Sequence, residues 1–104
     1  MINDIRPKTI TINLDRERHL KFDLNAFAEL EEIYGDFETA MNEMTKGSIK
    51  AVRAILWAGL VHEDDSLTIK QVGSMTDMSN ISYVVETISK AISEAMPKVD
   101  EKNA

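Results

Sequence analysis

From Ser48 to Val61 the chain reads SIKAVRAILWAGLV, with Lys50 and Arg53 as its only charged residues. Wound as an α-helix, this segment sets Ile49, Val52, Leu56 and Leu60 on one face and spreads Ala51, Ala54, Ile55 and Ala58 over the opposite side. A helix that is apolar nearly all round needs cover on more than one side. In a chain of 104 residues, which suits one domain with a thin core, that need makes Ser48–Val61 the central helix, wrapped by the remaining elements.

Those elements follow from the pattern on either side. Strict alternation in KTITINL puts Ile10, Ile12 and Leu14 on one face, and HLKFDL alternates again through Leu20, Phe22 and Leu24. The polar DRER between them is turn-compatible, so residues of about 8–24 read as a β-hairpin. A two-stranded hairpin is marginal alone in water and must pack on helices or on another subunit. From Asn25 the period changes to that of a helix, with Phe27, Leu30 and Tyr34 on one side. Asp23 or Asn25 caps its start and Gly35 closes it. Asp36 caps a second short helix whose face carries Phe37, Ala40, Met41 and Met44, with Gly47 at its end. Thr68 and Gln71 have capping-box spacing and begin another short helix with Ile69 and Val72. The last helix is amphipathic, with Ile81, Val84, Val85, Ile88, Ala91, Ile92, Ala95 and Met96 in one stripe and Pro97 beyond its end. The expectation is an α+β fold, mainly α: one domain over residues 1–97, with an N-terminal hairpin on four to five helices spanning about 25–97. Residues 98–104 form a flexible polar tail.

Charge and composition narrow the function classes. A net charge of −6 argues against the nucleic-acid backbone as partner. Nor is there a basic amphipathic segment suited to lying on a membrane, or an apolar run near the roughly 20 residues that span one. The N-terminal MINDIRPK lacks the apolar core of a signal peptide. With no cysteine, thiol chemistry and disulfides are excluded, in keeping with an intracellular protein. No Ser/His/Asp arrangement, phosphate-cradling glycine loop or dinucleotide fingerprint is present, so the reading is of a non-enzyme without a cofactor.

His62, Glu63, Asp64 and Asp65 follow the central helix and invite a metal reading. Four consecutive residues after a helix end scatter their side chains, however, whereas zinc sites use separated, converging ligands. A histidine at a helix C-terminus is favoured by the helix dipole alone, and the acids that follow suit a solvated loop. The carboxylates of ELEEIYGDFE suit the wet faces of helices rather than an acid–base pair. The methionines suit gap-filling core, or an adaptable contact surface.

Trp57 supports two readings. It suits a half-buried core position with its N–H outward. Beside Arg53, its i−4 neighbour, it also suits the anchor of a protein interface, with the guanidinium over the indole. Lys50, Arg53, Trp57, Leu60 and His62 are therefore the candidate protein-interaction surface; no catalytic, cofactor-binding or metal-ligating residue is assigned.

Taken together, HLKFDLNAFAELEEIYG and AVRAILWAGLVHEDDSLTIKQVG resemble the tail assembly chaperones of long-tailed bacteriophages and prophages. In that pattern a short strand enters a helix ending in Leu-Glu-Glu and Gly, matched by Leu30, Glu31, Glu32 and Gly35. An arginine-containing helix then carries Leu-Trp-Ala-Gly-Leu, matched by Leu56 to Leu60, before a His-Glu-Asp loop. The similarity runs from about Leu14 to Met96 and rests on small hydrophobic motifs rather than a catalytic signature.

The resemblance implies a protein that coats the long, aggregation-prone tape measure protein in the host bacterial cytoplasm until tail tube subunits displace it. It also implies self-association and absence from the finished virion. The alternatives are a structural tail-completion component, which would stay in purified particles, and an acidic regulatory module. Proteins of this kind are commonly made in two lengths through a backward ribosomal slip, and near the end of this chain Lys102–Asn103 is codable on a slippery heptamer.

Overall fold

The computed structural model describes residues 8–97. The expected polar tail at 98–104, and with it Lys102–Asn103, lies outside the described residues. The order of elements is β1 (Ile10–Asn13), β2 (Glu17–Leu20), α1 (Leu24–Tyr34), α2 (Phe37–Thr45), α3 (Ile49–Leu60), α4 (Ile69–Gly73), a single 3-10 turn (Met78–Asn80) and α5 (Ile81–Ala95). The architecture is α+β and mainly α, as the pattern of periods implied.

Helix starts are set locally. Asp23 accepts from the Ala26 N–H at 3.0 Å, Asp36 from Thr39 at 2.6 Å, and Ser48 from Ala51 at 3.1 Å. Each side chain satisfies a first-turn amide that has no partner inside its helix. At α4 the capping box is complete: Thr68 Oγ1 accepts from Gln71 N–H, and Gln71 Oε1 accepts from Thr68 N–H. Gly35 and Gly47 take φ of 88° and 93°, so α1 and α2 end where only a residue without Cβ sits easily. The extended conformation of Met96 ahead of Pro97 ends α5.

The central position of α3 is as its apolarity demanded. It touches β2, α1, α2, α4 and α5. Ile55 and Leu60 are fully buried, and so are Leu30 of α1, Val72 of α4 and Ile88 of α5 that pack in the same core. Each large aliphatic side chain so removed from water contributes about 1.5–3 kcal/mol of transfer free energy.

The hairpin differs from the alternation in two places. The turn is tighter than DRER, because Glu17 and Arg18 belong to β2 and pair with Asn13 and Ile12. Arg18 thus occupies an inward position among apolar neighbours and is 5% exposed. It is accommodated by a bidentate pair with Asp15, with Nε–Oδ1 at 2.8 Å and Nη2–Oδ2 at 2.9 Å. This hydrogen bond holds the Asp15 carboxyl down to about 2. The second difference is Leu24, expected on the hairpin's inner face but 85% exposed. The cap at Asp23 starts α1 at Leu24, so strand periodicity stops at Phe22, which is buried.

The hairpin packs on helices. The Lys21 N–H donates to the Gly59 carbonyl at 2.9 Å, and a Cβ at Gly59 would lie 2.8 Å from both Leu20 Cδ2 and Phe22 Cζ. Glycine at position 59 lets α3 approach the end of β2. On the other side, Tyr83 Oη of α5 accepts from the Asn13 N–H at 2.9 Å.

Candidate functional site

The structure separates the five candidate surface residues. Leu60 is fully buried and leaves the set: a helix apolar on both sides, enclosed by five elements, has no solvent face at that position. Trp57 is half-buried, as the core reading had it, but its Nε1–H does not face outward; it turns inward to donate to the Leu67 carbonyl at 2.9 Å. The indole thereby ties the loop after α3 to the helix. Among the described residues no cation–π pair joins it to Arg53, whose stem lies against Gly73 of α4 instead. Lys50 is exposed near the start of α3.

His62 belongs to a separate cluster at the other end of that helix. Its Nε2–H donates to the His19 carbonyl at 2.7 Å. Glu63 accepts from the His19 backbone N–H at 2.9 Å and from His19 Nδ1–H at 3.1 Å. In the ladder, His19 faces Thr11, and these groups of His19 are taken by side chains rather than by β1. His62 and Glu63, just beyond α3, therefore act as a side-chain clasp on the outer edge of β2, a place where an open strand would invite pairing with another chain. Burial pushes the Glu63 carboxyl up, but its bonds to the His19 N–H and imidazole outweigh that and hold it below its usual value. The acids after His62 are thus only in part a solvated loop; Asp64 also accepts from Ser66 N–H and Oγ–H. Among the described residues no group of three or more potential ligands is placed to hold a metal ion.

What α3 does offer to a partner lies one to two turns before Trp57. Ile49, Val52, Arg53 and Leu56 form one wall of a cleft of about 430 Å³, closed by α4, the 3-10 turn and the first residue of α5. Its floor is apolar, with Val52 and Leu56 almost fully buried and Val72 completely so. Its lips are apolar as well: Ile49 is 49% and Met78 64% exposed. Met44 is buried and Met41, Met75 and Met96 pack against the core, so Met78 is the methionine left on the surface among those described. Arg53 and Lys70 stand at the rim, and Asp77 is spent on capping the 3-10 turn through Ser79. Two polar atoms in the lining, Arg53 Nε and Thr76 Oγ1, are buried without a hydrogen-bond partner.

Sequence reasoning found Arg53 and left the methionines, Met78 among them, between core and contact surface, but it missed Ile49 as a surface residue and missed the 3-10 turn. The available signal was Asp-x-Ser at positions 77–79, the spacing of a side-chain-capped turn. No family model, no curated protein and no solved structure matches this chain.

Proposed function

We propose that this chain is a tail assembly chaperone of a long-tailed phage or prophage, binding apolar helical stretches of the tape measure protein and keeping them from aggregating before tube assembly. The observation that carries the reading is the groove beside α3, where two large apolar side chains, Ile49 and Met78, stand open above an apolar floor. Grooves of this form receive the apolar ridge of an amphipathic helix. The resemblance in Leu30–Gly35 and Leu56–Leu60 supports the choice of partner. In this fold Leu30, Leu56, Ala58 and Leu60 lie in the core and Gly59 makes the α3–hairpin contact, while Glu31 and Glu32 are exposed on α1, so the motifs mainly support the scaffold rather than mark the groove. No described helix is long and apolar enough to cross a membrane.

The test is co-expression with the tape measure protein of the same genome. The chaperone reading requires more soluble tape measure protein in the presence of this chain, a co-purifying complex, and loss of both on Ile49→Asp in a chain that remains folded. It also requires that purified particles lack this chain. Retention in particles with no effect on tape measure solubility would support the tail-completion alternative instead.

A further inference from the structure

The charge around the groove defines what its occupant carries beside its apolar ridge. Of the described cations, Lys8, Arg18, Lys21 and Lys46 pair with carboxylates. Arg16, Lys50, Arg53, Lys70 and Lys90 form no ion pair with a described residue, and three of these five, Arg53, Lys70 and Lys50, lie in or next to the groove. Arg53 and Lys70 line the groove and Lys50 sits one turn before Arg53 on α3, whereas Arg16 and Lys90 stand elsewhere. In a chain of net charge −6, exposed apolar surface and unpaired positive charge coincide at this place. Arg53 adds a specific demand, because its Nε–H is buried in the groove wall without an acceptor. An unsatisfied donor of that kind favours a partner that brings an acceptor. On the far side, Asp77 disfavours a second acidic flank.

We infer that the groove selects an amphipathic helix whose apolar ridge is bordered by glutamate or aspartate on one side, the acids facing Arg53, Lys70 and Lys50. This deepens the proposed function, since it rests on the groove being the binding site and names the chemistry of the segment bound. Two to three turns of helix suffice, because the α3 wall from Ile49 to Leu56 is only about 10 Å long.

Two synthetic helical peptides with the same leucine ridge, one bordered on one side by glutamates and the other by lysines, test the inference. Affinity is measured by fluorescence anisotropy against the whole chain at low and at high salt. The glutamate peptide should bind about tenfold more tightly at low salt, with the advantage shrinking as salt screens it. Lys50→Glu/Lys70→Glu alters two exposed residues and should reverse the preference. Arg53→Gln, checked for folding by its thermal melt, should weaken the glutamate peptide alone.

Equal binding of the two peptides, or a preference that survives the charge reversal, overturns the inference. So does a groove found to be filled by a second copy, seen as self-association that Ile49→Asp abolishes while neither peptide binds. The two readings fail separately. If tape measure protein is kept soluble but the peptides are not distinguished, the charge chemistry falls and the chaperone reading stands. If the glutamate peptide binds but tape measure protein is not kept soluble, the reverse holds.

Discussion

Replacing Gly59 with alanine adds one methyl group where α3 comes closest to the hairpin. Gly59 is helical and not among the glycines with positive φ, so its backbone accepts alanine without strain. In an open helix the change would stabilise by up to about 1 kcal/mol. Here the new Cβ meets Leu20 Cδ2 and Phe22 Cζ, each at 2.8 Å. Both are side-chain ends, yet Leu20 is 0% and Phe22 2% exposed, so neither can swing into solvent. Overpacking of a closed core costs about 1–3 kcal/mol, which at the middle of that range leaves a net loss of about 1 kcal/mol. The bond from Lys21 N–H to the Gly59 carbonyl would weaken with it. Gly73→Ala is the matched control: its Cβ would meet Arg53 Cδ at 2.8 Å, on a flexible stem at the groove rim. That variant should stay within about 0.5 kcal/mol of the parent. Urea denaturation of both variants at equal m-value measures the difference. A Gly59→Ala chain as stable as the parent would refute the claim that this glycine is required by the helix–hairpin contact.

The clasp on β2 predicts that Glu63→Ala raises the exchange rate of the His19 amide by about tenfold while amides inside α3 keep their protection; unchanged exchange at His19 would remove the clasp. Asp15 has its folded pKa lowered from 3.8 to about 2, so the stabilisation from its pair with Arg18 is present above pH 3.8 and lost as pH falls through about 2. Asp15→Asn should therefore flatten that part of the stability–pH curve, read from urea midpoints, and a parallel displaced curve would count against the pair. Trp57→Phe removes the donor to Leu67 and should cost about 1 kcal/mol while speeding amide exchange in the loop between α3 and α4. If only the groove-facing amides respond, the inward role assigned to the indole is mistaken.

Features decided by neighbours in sequence were legible. The caps at Asp23, Asp36 and Thr68 each act over three residues, and the periodicity that buries Val84, Ile88 and Ile92 is a property of one helix. Errors arose where a local choice competed with a pattern. Leu24 continues the strand alternation, but the Asp23 cap commits it to α1, where it faces solvent. Arg18 reads as a turn residue because hydropathy carries no sign of the carboxylate three positions earlier that permits its burial. The groove was harder still, since Ile49 and Met78 meet across it from positions 29 residues apart and Ile49 reads as core on the wheel. The link from His19 to His62 and Glu63 joins residues 43 and 44 apart, and no spacing rule connects them.

Hydrogen exchange of this chain, alone and in complex with co-expressed tape measure protein, tests the central claim most directly. Binding in the groove predicts new protection in the first two turns of α3 around Ile49–Leu56 and across Ile69–Ile81, with α1 and α2 unchanged. Protection confined to α1 and α2, or a complex that leaves the groove amides exchanging as in the free chain, would contradict it.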